Sequence, residues 1–77
     1  MKFGKLECVV LAHDITGHGL RAGDLGTVVM IYPKNGIEVE FVRGSGETQA
    51  SLTLRNEDIR KLDSHDLLAI RRLAEVA

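Results

Sequence analysis

Tryptophan is absent from the chain, and tyrosine, proline and cysteine occur once each in 77 residues. A lone cysteine, Cys8, excludes an intrachain disulfide. It sits in "LECVVLA", where it is expected to be a small buried hydrophobe rather than a reactive thiol. The lack of a disulfide framework fits a reducing, cytoplasmic compartment. The aromatics are Phe3, Tyr32 and Phe41 alone, too few for a surface on which bases stack. No apolar run approaches the ~20 residues of a membrane span. The run from Leu6 to Ala12 behind Lys2 and Lys5 is shorter than a secretory core and lacks a cleavage site, so a soluble protein is expected. Charge is short of either sign in excess: ten basic against eleven acidic residues give a net −1. Nucleic-acid binders carry a basic excess or stripe, and here Lys and Arg are scattered.

Glycine is plentiful, with eight residues, and it punctuates short apolar runs. Leu6 to Ala12 is the first expected strand, and "HDITGHGLRAGDLG" from His13 to Gly26 a long loop. "GTVVMIY", rich in β-branched residues, is the second strand. "PKNG" from Pro33 to Gly36 marks a hairpin, with positive φ tolerated at Asn35 and Gly36 as in a type I′ turn, or a type I turn with a glycine bulge. Ile37, Val39 and Phe41 alternate with Glu38 and Glu40 in a third strand, Ile37 to Arg43. Ala50, Leu52 and Leu54 alternate with Gln49, Ser51, Thr53 and Arg55 in a fourth. This period of two places one face of each strand in the core. Asn56 opens a single helical turn with Ile59 packing down, and Arg60 to Leu62 returns as a short fifth strand. After Asp63 the pattern changes. Ser64 is a good N-cap, Asp66 suits a first turn, and "HDLLAIRRLAEVA" lacks glycine and proline, so a helix is expected from His65 to about Val76. Its apolar residues cover about half the surface, and an isolated helix of that length is marginal, so it must dock on something.

Each candidate chemistry has a plainer reading. "GHGLRAGDLG" misses the spacing of a dinucleotide fingerprint and lacks the G-K-[ST] of a P-loop. Gly23-Asp24 instead supplies a turn, with Asp24 capping backbone N–H groups and Gly26 permitting a bulge or positive φ. Cys8, His13, Asp14 and His18 show no metal-ligand spacing, and Cys8 and His13 on one extended segment do not form a nucleophile–base pair. Glu38 and Glu40 share the wet face of a convex strand, not the two sides of a cleft. No metal, cofactor or catalytic constellation is expected.

"LECVVLAHDITGHGLRAGDLGTVVMIY", followed by "EVEFV", "GET", "LTL" and "DIR", resembles the small bacterial family called domain of unknown function 4926. Asp14, Ile15, Gly19, Leu20, Gly23, Asp24, Gly26, Thr27 and Val28 match its loop motif, and Glu38 to Phe41, Thr53, Leu54, Ile59 and Arg60 match the rest. The resemblance spans roughly residues 5 to 62 and omits the tail. It implies an SH3-like barrel. The loop is also similar to KOW segments of ribosomal and transcription proteins, and to the barrel of nitrile hydratase β subunits and their activators. The family's position in small gene cassettes, some beside toxins, suggests a partner or antitoxin role.

The resulting expectation is a mainly β protein: a five-stranded SH3-like barrel over residues 1–63 and an amphipathic α-helix over 64–77. Its function is expected to be that of a non-enzymatic interaction module. It would self-associate or act as the small, antitoxin-like partner of a larger protein, masking a surface through Leu67, Ile70, Leu73, Ala74 and Val76. The alternative is a KOW-like nucleic-acid-binding barrel, using the glycine loop with Lys2, Lys5, His18, Arg21 and Lys34.

Overall fold

A computed structural model describes residues 2–73. Five strands run in chain order: β1 (Cys8–Leu11), β2 (Leu25–Tyr32), β3 (Gly36–Val42), β4 (Thr48–Leu54) and β5 (Ile59–Lys61). Single 3-10 turns at Thr16–His18 and Asn56–Asp58 interrupt the first and last long connections. The strands form one antiparallel sheet in the order β4-β3-β2-β1-β5. Period-two patterning succeeds because the pleat sends alternate side chains to opposite faces. Val9 and Leu11, Val28, Ile37, Val39 and Phe41, Ala50 and Leu54, and Ile59 are all buried in one cluster, with Leu52 packed against it. All five strands therefore contribute to a single core.

The sheet is open, which corrects the expected closed barrel. Closure requires the two edge strands to pair. Here the turn at Asn56–Asp58 carries the chain from the edge strand β4 to the far side of β1, where the three-residue β5 pairs only with β1. Register breaks between Val28 and Met30 and between Phe41 and Val42 bend the long strands, adding local twist. Two plugs from outside the sheet finish the core: Phe3 before β1 and Leu20 from the long loop, both almost fully buried.

The expected C-terminal α-helix is also absent from the described residues, which contain no α-helix. A turn forms at its start, but Asp63 rather than Ser64 caps it. The Asp63 carboxylate accepts from the His65 N–H at 2.8 Å, and the Asp66 N–H donates to the Asp63 carbonyl at 3.0 Å. The chain then runs on without regular structure through Leu73. Leu67 is 91% exposed, Leu68 69% and Ile70 fully so. A short helix needs an apolar face buried against a neighbour, and no such burial is present to support one. Ala74 and Val76 lie outside the described residues.

Two local features shift by a residue or a face. The left-handed pair in the β2–β3 hairpin is Lys34 (φ 64°) and Asn35 (φ 74°), not Asn35 and Gly36. Gly36 is already paired with Tyr32 at the start of β3. Cys8 is exposed, because alternation along β1 gives the core face to Val9 and Leu11.

Candidate functional site

The long connection between β1 and β2 folds back on itself. Ile15 and Leu20 exchange backbone hydrogen bonds of 3.0 and 3.1 Å, and Gly19 in a left-handed conformation (φ 69°) ends the 3-10 turn between them. Gly23, at φ 96°, lets the chain double back so that its N–H donates to the Leu11 carbonyl at 2.8 Å. The Asp14 carboxylate accepts from the Ala22 N–H and that of Asp24 from the Arg21 N–H, both at 2.8 Å. These amides are spent on the loop's own geometry, which gives the glycines a conformational role. Gly26 differs from the expected turn glycine. It is buried within β2, and a Cβ there would lie 2.6 Å from Val39 Cγ1 and 2.9 Å from Phe41 Cε1.

The remaining candidates are dispersed. His13 sits between two acceptors, its Nε2 2.7 Å from Asp58 Oδ1 and its Nδ1 3.1 Å from the Asp14 carbonyl. The Asp58 carboxylate and then the carbonyl raise the imidazole above its ordinary range. Glu38 accepts from Thr53 Oγ1 at 2.7 Å and Ser51 Oγ at 2.8 Å, and Glu40 from Thr48 Oγ1 at 2.6 Å. The hydroxyls of Thr53 and Ser51 hold the Glu38 carboxyl below the usual carboxylate range, which keeps it an anion and not a proton donor. Phe3 and Phe41 are buried. His18 and Arg21 border one surface, whereas Lys5 and Lys34 do not join them. Among the described residues no group of three or more His, Cys, Asp or Glu has metal-holding geometry, and no helix is long and apolar enough to cross a membrane.

What the fold does assemble is an open groove. Its walls are the loop from Thr16 to Leu25, Val10 and Val42 of the sheet with Leu62 just after β5, and the segment from Asp66 to Leu73. That last segment is a strap pinned at both ends. At one end Arg60 forks onto Asp66, with Nη1–Oδ2 and Nη2–Oδ1 both 2.9 Å, and the Asp63 N–H adds 2.7 Å to the same carboxylate. This guanidinium, and then the amide, draw the Asp66 carboxyl down to about 2. At the other end Arg71 forks onto Asp24, with Nε–Oδ1 3.1 Å and Nη2–Oδ2 2.7 Å, and also donates to the Gly19 carbonyl at 3.0 Å. Burial pushes the Asp24 carboxyl up, but the Arg71 fork and the Arg21 amide outweigh it and leave it lowered. Such paired N–H···O bonds fix geometry as well as charge.

Of the residues expected to meet a partner, Leu67 and Ile70 are on the strap between its two pins and Leu73 is half-buried just beyond. Leu68 is exposed beside them. The Asp24–Arg71 pin was not legible, since the two residues are 47 positions apart. No curated protein and no solved structure matches the chain. The model of one family, Domain of unknown function (DUF4926), matches residues 5–61, which holds all five strands and the glycine loop, and the chain belongs to that family.

Proposed function

We propose that this protein is a non-enzymatic interaction module that binds another protein, or a second copy of itself, through the strap and the groove beside it. The observation that carries the reading is the exposure of Leu67, Leu68 and Ile70 on a segment tied down at both ends. Three neighbouring large apolar side chains turned to solvent are unusual on a small monomer and mark interaction surfaces. Burying them against a partner contributes roughly 5–8 kcal/mol before ordering costs. The two forks reduce those costs because the segment is already held. The groove is an open depression and not an enclosed pocket, which favours a macromolecular occupant over a small molecule. The mechanism is surface masking by a small subunit, in the manner of an antitoxin or immunity-type neutraliser.

The test is a retention experiment in extract of the native cell with the full chain and with the double variant Leu67→Asp, Ile70→Asp, alongside light scattering of both. Both side chains contact little of the core, so the variant keeps its melt. The reading expects either a stoichiometric protein retained by the wild type and lost by the variant, or a self-associated particle that the variant reduces to monomer. A monomer that retains nothing, or retention unaffected by the variant, overturns it.

A further inference from the structure

Five of the chain's Lys and Arg residues line the groove, and all five are arginines: Arg21, Arg43, Arg60, Arg71 and Arg72. The chain has six arginines and four lysines, and none of the lysines borders this surface. Arginine is the cation of protein interfaces, from which lysine is depleted, because its planar fork pairs with carboxylates and is less strongly hydrated. The acids on the same walls are Asp14, Asp24 and Asp66. Two of them are spent: Asp24 on Arg71 and Asp66 on Arg60. Arg21, Arg43 and Arg72 have no carboxylate at ion-pair distance among the described residues, and Arg43 rests on the neutral Gln49 Oε1 at 2.8 Å. A chain of net charge −1 thus turns an arginine-bearing face toward its groove. The acids Glu38 and Glu40 are tied to hydroxyls elsewhere on the sheet.

From this placement we infer that the partner is an acidic protein segment. Its carboxylates would meet Arg21, Arg43 and Arg72 while its apolar side chains cover Leu67, Leu68 and Ile70. The inference rests on the interaction reading above and adds the partner's chemistry to it. Arginines also suit phosphates, but a nucleic acid has no use for three exposed aliphatic side chains. Phe3 and Phe41 are buried, and the exposed Tyr32 does not border the groove, so no aromatic there is available for base stacking.

A display library of random peptides, selected on the full chain, is the probe. The same selection is run on the variants Leu68→Ser, Ile70→Ser and Arg21→Ser, Arg43→Ser, Arg72→Ser, each checked for an unchanged melt. The expected result is enrichment of peptides rich in Asp or Glu and in Leu, Ile or Phe. Their binding weakens about tenfold or more in the arginine variant and steeply with salt, and the aliphatic variant abolishes it. Apolar peptides without acidic bias, lost only in the aliphatic variant, leave the interaction reading standing and overturn the acidic partner. No enrichment, or enrichment indifferent to both variants, overturns both. Binding of a single-stranded RNA oligonucleotide that the arginine variant loses, with no peptide selected, assigns the face to nucleic acid and overturns both as well.

Discussion

Leu6 and Gly26 are backbone positions occupied in opposite senses. Leu6 adopts φ 68° while its side chain is 72% exposed, so the chain carries left-handed strain with little burial in return. A left-handed L-residue costs roughly 1–2 kcal/mol, and glycine's extra freedom in the unfolded chain offsets part of that. Leu6→Gly is expected to raise stability by about 0.5 kcal/mol in a thermal or denaturant melt. Gly26 has no such freedom to lose. Its missing Cβ is the space occupied by Val39 and Phe41, so Gly26→Ala overpacks the core and is expected to destabilise by about 1–3 kcal/mol, read as an earlier urea midpoint. His13 is the residue whose charge links the fold to pH. Its raised value means that its contribution is complete below the ordinary 6.5 and is lost as pH rises through the folded value. Asp58, lowered by His13 and by the Arg55 amide, contributes above the ordinary 3.8 and loses that contribution as pH falls through its folded value. The pair therefore works between those limits and weakens as pH rises through the raised His13 value. Asp58→Asn is expected to move the His13 titration, followed by NMR, back toward 6.5, and a titration left where it was would remove the linkage.

At the scale of elements, the glycine loop and the strap form one unit through Asp24. That carboxylate accepts from the Arg21 N–H, which shapes the loop, and from Arg71, which pins the strap. Arg71→Gln leaves the loop bond in place and releases one end of the strap. The expected outcome is faster proteolytic cutting within residues 63–73, with the protection of β1 to β4 amides in hydrogen exchange unchanged. Equal protection of the strap in the variant would show that its position does not depend on the fork. The alternation that makes β3 and β4 was legible residue by residue, because the pleat ties sequence parity to a face. The strap was not, because residues 64–77 carry the propensities and cap of a helix. Propensity is a weak prior, and the contacts that decide against it come from Arg60 and Asp24.

For the whole molecule, the core is completed by Phe3 and Leu20 from outside the strands, so the open sheet has an apolar interior without a closing ladder. Phe3→Ala opens a cavity and is expected to cost about 3–5 kcal/mol, a large share of the stability of a domain this small. Its melt is expected to be shallow or absent at room temperature. Removal of residues 64–77 leaves the five strands and both plugs in place. The shortened chain is expected to keep its far-ultraviolet circular dichroism and a cooperative melt. Loss of the cooperative melt would make the strap part of the core.

The sequence by itself determined the local part of this protein: five short strands, the face that β3 and β4 bury, the 3-10 turn at Asn56–Asp58 and the reversals. Those follow from parity, β-branching and glycine over a few neighbouring residues. It did not determine that the sheet stays open, that Cys8 faces out, or that residues 66–73 lie as a strap. Each of those depends on which distant groups meet: β5 on β1, Phe3 and Leu20 over the core, Arg71 on Asp24. Such pairings are set by packing and charge across the folded chain, and no local pattern records them.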